Sequence, residues 1–417
     1  MAAAALGKIF LLALALVSVI IAERRSYNGY SVLRAKVDNL KHFKVLSTLR
    51  DESNFDFWSG PLYGKYADIM ASPEEYPELT KLLNSHGIPF SFMINNLETV
   101  INQTDALAKT QAEMNWNEYF STEANYAWLE GLAQNNSNVQ VLNIGNSTEN
   151  RVIKVVKISS GPSNATRPAL WIDGTTHARE WISTTTATYV INQLVNNASA
   201  HRQILDNLDI YILPIVNPDG YEYSRTTERL WRKTRSILAN TTCRGVDPNR
   251  NFGYKWSGEG NTINKCSLTH QGAAPFTEPE AQAVRDFILG SNVNWQGFIA
   301  LHSYSQLWMT PWGYTEDLPR NYQEMMRVAN KSVAALAAVH GTRFEAGSSA
   351  NILYQAKGIS IDWAKGVPNI TYAYVIELRD TGRYGFVLPP NEILPTAQET
   401  WAGIRILAEE IAGVEQD

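Results

Sequence analysis

Two histidines and two glutamates each sit beside an apolar run of this chain. In Asp173-Gly-Thr-Thr-His177-Ala-Arg179-Glu180-Trp181 a buried strand gives way to a helix, with His177 and Glu180 three residues apart. That spacing lets both side chains point to one side of a turn. An imidazole and a carboxylate so placed are two of the three protein ligands of a catalytic zinc site. By itself the pair reads as a capping carboxylate beside an incidental histidine. Two further runs change the weighting: Gly297–Leu301 leads into His302-Ser303-Tyr304, and Ile370–Ile376 leads into Glu377-Leu378-Arg379-Asp380. All four groups therefore fall at or beyond strand carboxyl ends, the edge of an open α/β sheet where ligands bind. Two histidines and one carboxylate fill three zinc positions and leave the fourth for water. A second glutamate supplies the general base that metal-assisted hydrolysis needs.

Seven motifs follow in order: His177-Ala-Arg179-Glu180-Trp, Asn217-Pro-Asp-Gly220-Tyr, Trp231-Arg232-Lys-Thr-Arg235, Cys243-Arg-Gly-Val-Asp247-Pro-Asn249-Arg250-Asn251, His302-Ser303-Tyr304-Ser305-Gln306, Tyr354-Gln-Ala356 and Glu377-Leu-Arg-Asp-Thr-Gly382. With them the chain resembles the zinc metallocarboxypeptidases of the carboxypeptidase A/B family in their secreted zymogen form, over roughly residues 115–417. The resemblance implies one zinc ion per chain on His177, Glu180 and His302, with Glu377 as the base and Arg232 facing the oxyanion. It implies that Asn249, Arg250 and Tyr354 hold the free carboxylate of a peptide or protein C-terminus. Arg179, Ser303 and Tyr304 would line the next subsite inward, and Asp247 would orient His177. Guanidinium groups suit such work because they stay charged and grip a carboxylate with two hydrogen bonds.

The segment Gly358-Ile-Ser-Ile361-Asp362-Trp363 resembles the floor of the pocket for the terminal side chain. Ile361 stands where B-type relatives carry an Asp that pairs with Lys or Arg. Gly313 matches a wall position where a small residue leaves room for a large ring. A neutral, roomy pocket implies preference for terminal Phe, Tyr or Leu, because burying an unpaired cation costs several kcal/mol. A register slip of one residue would put Asp362 in the pocket and give the B-type preference. A non-catalytic relative that only binds zinc or peptide would have lost Glu377 or a ligand, and neither is lost. Aminopeptidases and deacylases have no use for Asn249-Arg250, and many hold two metals.

A rigid frame must hold these groups. The runs Ala169–Asp173, Leu208–Val216, Gly297–Leu301 and Ile370–Ile376 are too continuous for half-exposed strands. They suit a large mixed, mostly parallel sheet with helices on both faces, an α/β domain. Its helices are expected at Glu180–Val195, Glu278–Leu289, Arg320–His340 and Pro395–Ala412. Before it, residues 28–96 read βαββαβ, the order of a small ferredoxin-like unit. A polar connector over 97–113 carries Lys109-Thr110, an exposed candidate for nicking. The resemblance makes this unit a pro-domain, so the expected division is signal 1–22, activation pro-domain 23–109 and catalytic domain 110–417. A trypsin-like endoprotease is the expected activator.

The chain has 417 residues, 44% hydrophobic and 18% charged, enough for a sizeable core. A net charge of -5 argues against nucleic acid as a partner. Residues 1–22 place Lys8 before an apolar run of 14 residues, Ile9 to Ala22. That is short of the roughly 20 needed to span a bilayer and fits a cleaved secretory signal. No later stretch reads as membrane-spanning, so a secreted protein free of the membrane is expected. Cys243 and Cys266 then pair in an oxidising compartment, closing a loop worth about 3 kcal/mol. Asn102, Asn135, Asn146, Asn164, Asn197, Asn240, Asn330 and Asn369 head glycosylation sequons.

Overall fold

The structure, a computed structural model, describes residues 24–52, 55–105, 113–161, 166–257 and 262–414. The leader, Lys109-Thr110 and the sequon at Asn164 lie outside the described residues.

The first unit has strands β1 (Ser31–Lys36), β2 (Asp56–Ser59), β3 (Tyr66–Ala71) and β4 (Phe90–Ile94), with helices Leu40–Glu52 and Tyr76–Ser85. Sheet order is β2-β3-β1-β4 and every pair is antiparallel, as the βαββαβ reading requires. Ser72 and Glu75 close a reciprocal pair before the second helix, with Ser72 N donating to Glu75 Oε2 (2.9 Å) and Glu75 N to Ser72 Oγ (3.2 Å). Strand alternation sorts this sheet's side chains. Leu33, Ala35, Ile69 and Ala71 pack under the two helices with Leu46, Leu79 and Leu83. Val32, Trp58 and Met70 point the other way, onto Leu230, Tyr304 and Phe386 of the second unit. The face that a ferredoxin-like sheet leaves open is thus the docking face.

The second unit adds β5 (Val139–Asn146), β6 (Val152–Ile158), β7 (Pro168–Gly174), β8 (Asp209–Leu213), β9 (Asn294–His302), β10 (Leu307–Thr310), β11 (Glu345–Ser348) and β12 (Tyr372–Glu377). Its order is β11-β10-β12-β9-β7-β8-β6-β5. The four central strands β12, β9, β7 and β8 run parallel, and they are the four expected from continuous apolar runs. Strands β5, β6, β10 and β11 extend the sheet beyond those runs; β6 and β5 are antiparallel to their neighbours, and β10 is antiparallel to β12 but parallel to β11. Continuity has a physical cause. Leu170, Ile172, Ile299, Leu301, Tyr374 and Ile376 enter one core beneath helices Trp181–Asn196, Tyr322–His340 and Ile393–Ala412. Their neighbours Ala169, Trp171, Phe298, Ala300, Ala373 and Val375 enter a second core on the opposite face. Burial on both faces leaves no polar alternation to read.

A buried carboxyl in this frame carries a stability prediction. Glu280 Oε1 accepts from Thr148 N at 3.1 Å, while Oε2 is buried with no partner among the described residues. Burial raises the group from 4.5 to about 7. The folded state therefore holds a proton that the unfolded chain has already released, and stability falls as pH rises through that window. Glu280→Gln should be near neutral at pH 5 and raise Tm at pH 8. A Tm difference independent of pH would exclude this cause.

Candidate active site

β7 closes at Gly174, where a Cβ would meet Ser183 O at 2.8 Å, so glycine lets the strand end approach the following helix. Thr175 then takes φ 51, with its amide donating to Ser183 Oγ at 2.8 Å. This turn presents His177. Glu180 sits at the start of helix Trp181–Asn196, yet its side chain caps no helix amide. That removes the capping reading. Glu180 Oε1 lies 2.7 Å from His177 Nδ1, and Oε2 lies 3.0 Å from His302 Nδ1. The two histidine Nδ1 atoms are 3.1 Å apart. His302 ends β9 directly beside Glu377, which ends β12.

Among the described residues, His177, Glu180 and His302 are the group that could hold a metal ion, all three buried. Tetrahedral zinc with bonds of about 2.0–2.2 Å spaces its ligands about 3.3–3.6 Å apart, so the donor set fits once its atoms spread by up to several tenths of an ångström. His177 turns Nε2 to Asp247 Oδ1 at 3.0 Å, the outer partner a metal-binding imidazole uses to fix its tautomer. Asp247 Oδ2 accepts from Arg232 Nε (3.1 Å) and Nη2 (2.8 Å). None of the other five histidines joins the metal-competent group.

Burial alone would raise the Asp247 and Glu180 carboxyls, but Arg232 and His177 hold Asp247 well below its ordinary value. His177 and His302 do the same for Glu180. Burial and the Arg232 charge lower His177. For His302 burial opposes the charged form, and Glu180 outweighs it and raises the group. Glu377 is raised to about 8 by burial, against the nearby His302.

The same cleft gathers most of the other expected groups. Arg232, Asn249, Arg250, Ser303, Tyr304, Tyr354 and Ile361 line it. Arg250 is 3% exposed, with Nη1 donating to Asn249 O at 2.8 Å and Nε without a partner among the described residues. Asn249 Oδ1 accepts from Ser360 N at 2.9 Å. Asp362 is engaged elsewhere: it accepts from Gly313 N (2.9 and 3.0 Å) and Tyr314 N (3.0 Å), and burial raises it to about 7. The room expected beside Gly313 is taken, since a Cβ there would stand 2.4 Å from Ile359 Cδ1.

Arg179 does not line the cleft; it is sealed beneath the first unit. Its Nη1 donates to Asp56 Oδ2 (2.8 Å) and Oδ1 (3.1 Å). Tyr304 OH donates to Asp68 Oδ2 at 2.7 Å, and Arg34 bonds both Asp68 and Thr381 O. Trp58 packs on Phe386 with ring centroids 5.1 Å apart, and Arg50 lies 5.6 Å over the Tyr354 ring. Under this cover the cleft keeps about 70 Å³, space for a few waters. Asp56, Trp58, Asp68, Ile359 and Phe386 escape a sequence reading. The one available signal is that Asp56 and Trp58 alternate on a strand, which puts an acid and a large ring on one face.

Cys243 and Cys266 are disulfide-bonded, with Cα atoms 5.2 Å apart. The asparagines of all seven described sequons are exposed. Among the described residues no helix is long and apolar enough to cross a membrane.

Comparison with known proteins gives two family matches: residues 125–403 match Zinc carboxypeptidase, and residues 33–104 match Carboxypeptidase activation peptide. The chain is similar to carboxypeptidase B of Astacus astacus, 46% identical over 71% of this chain and 97% of that protein. It is also similar to carboxypeptidase A2 of Mus musculus, 37% identical over 93% of this chain and 95% of that one. Among solved structures, carboxypeptidase A from Helicoverpa armigera superposes with TM-score 0.86 at 26% identity, over 94% of this chain and 99% of its own. Thrombin activatable fibrinolysis inhibitor does so with TM-score 0.83 at 30% identity, over 92% and 98%.

Proposed function

The chain belongs to the zinc carboxypeptidase family, a family of hydrolases of C-terminal peptide bonds, and from that membership we propose which of its residues perform the reaction. It carries an activation peptide ahead of the hydrolase domain. His177, Glu180 and His302 hold one zinc ion. When bound, zinc supplies Lewis-acid chemistry, polarising a carbonyl and bringing the pKa of water to about 7. Glu377 takes the proton of the attacking water and returns it to the leaving amine. Arg232, fixed by Asp247, faces the charge that develops on the carbonyl oxygen. Asn249, Arg250 and Tyr354 hold the free terminal carboxylate, while Ser303 and Tyr304 form the next subsite, joined by Arg179 once removal of the first unit frees it from Asp56.

The observation that carries exopeptidase chemistry is Arg250, a buried guanidinium that lines the cleft of the metal-competent group and whose Nε has no partner among the described residues. A substrate carboxylate entering the cleft would pair with this guanidinium. An uncharged hydrophobic end group is favoured over Lys or Arg, because Ile361 lines the cleft and Asp362 is spent on backbone amides. Residues 1–22 direct secretion, residues 23–109 keep the enzyme latent, and a trypsin-like protease cutting near Lys109 frees residues 110–417. The exposed sequons are glycosylation positions.

Blocked dipeptides ending in Phe, Leu, Arg and Lys, assayed before and after mild trypsin treatment, test this reading. Hydrophobic ends should be released fastest, and only after trypsin. Faster release of Arg than of Phe and Leu would reverse the end-group assignment in favour of a preference for terminal Lys or Arg.

A further inference from the structure

We propose that Ile359 narrows the end-group pocket, so that this enzyme releases branched aliphatic C-terminal residues in preference to aromatic ones. The inference rests on the reading of Ile361 as the pocket floor and goes one step further into the same pocket.

The apolar wall of the cleft is made by Met309, Leu353, Ile359, Ile361 and Val375. Gly313, which by size alone opens this wall, is absent from the lining. Ile359 stands between, with its Cδ1 where a Cβ on Gly313 would be overlapped at 2.4 Å. The missing side chain on one wall is thus replaced by a longer one from the other.

Neither wall is free to retreat. Gly313 N is held by Asp362, and Gly313 O accepts from Ala356 N at 2.8 Å. On the other side Gly358 takes φ 68, a Cβ there would stand 2.5 Å from Arg250 O, and Gly358 O accepts from Phe252 N at 2.9 Å. The Cα of Ile359 is therefore anchored to the segment that carries the carboxylate-binding arginine. Ile359 is 5% exposed and belongs to the core that includes Ala356 and Trp363. Its β-branch restricts χ1, so the side chain cannot swing aside at low cost. A Leu or Ile end group is flexible or short enough to pack beside it. A flat ring needs the depth that Ile359 fills. Hydrophobic pockets resolve a mismatch of this size by about 10- to 200-fold in kcat/KM.

The test uses the trypsin-trimmed enzyme and blocked dipeptides ending in Leu, Phe and Arg. For the native sequence the ratio of kcat/KM for Leu to that for Phe should be about 10. In Ile359→Ala the ratio should fall at least about 10-fold, with the Phe end gaining, and Ile359→Val should lie between. The ratio is independent of how much of a variant folds. A native enzyme that prefers Phe to Leu, or a ratio unmoved by Ile359→Ala, overturns the proposal. Fast release of Arg by the native enzyme would instead overturn the pocket-floor reading, a distinct result.

Discussion

Replacing Glu377 by Gln is expected to leave one zinc bound per chain and to lower kcat by about 10²- to 10⁴-fold, the range a positioned acid–base group contributes. The amide keeps the size of the side chain but cannot accept a proton. Glu377 lies beside His302 at the strand ends yet is not one of the three metal-competent groups, so its loss should not empty the site. His302→Ala, in contrast, should lose zinc and activity together. Measuring bound zinc alongside kcat on the trimmed enzyme separates the two roles. Full turnover in Glu377→Gln would remove the proposed base, and loss of its zinc would make Glu377 a ligand.

The second large effect is latency. The uncut chain should hydrolyse blocked dipeptides at a small fraction of the trimmed rate, because the first unit covers the cleft with Asp56, Trp58 and Asp68. The Asp56–Arg179 pair is an ion pair of this cover, and Arg179 is 1% exposed. Breaking a buried pair costs about 3 kcal/mol or more, and each 1.4 kcal/mol is tenfold in an equilibrium. Asp56→Ala should therefore raise the activity of the uncut chain by about 100-fold without cleavage. The trimmed enzyme lacks Asp56, so its rate is the fixed upper reference. An uncut native chain as active as the trimmed one would show that residues 23–109 serve another purpose. Unchanged latency in Asp56→Ala would place the lock elsewhere in the interface.

The amino-acid sequence alone was enough for the parts of this protein that are local. His177 and Glu180 are three residues apart, and each of His302 and Glu377 follows its own apolar run, so type and spacing expose them. The four central strands are legible for the same reason, as burial on both faces writes an unbroken apolar run into each. The βαββαβ unit is legible through its changes of period. Tertiary structure alone decided which way contested side chains face. Glu180 turns to two imidazoles rather than to its own helix, Asp362 turns to the amides of Gly313 and Tyr314, and Ile359 fills the space that Gly313 leaves. It alone joined Asp56 to Arg179 across 123 residues and Tyr304 to Asp68 across 236. The reason is geometric: periodicity constrains neighbours a few residues apart, whereas these contacts depend on how two distinct sheets meet, and a shift of one residue sends a strand's side chains to the opposite face.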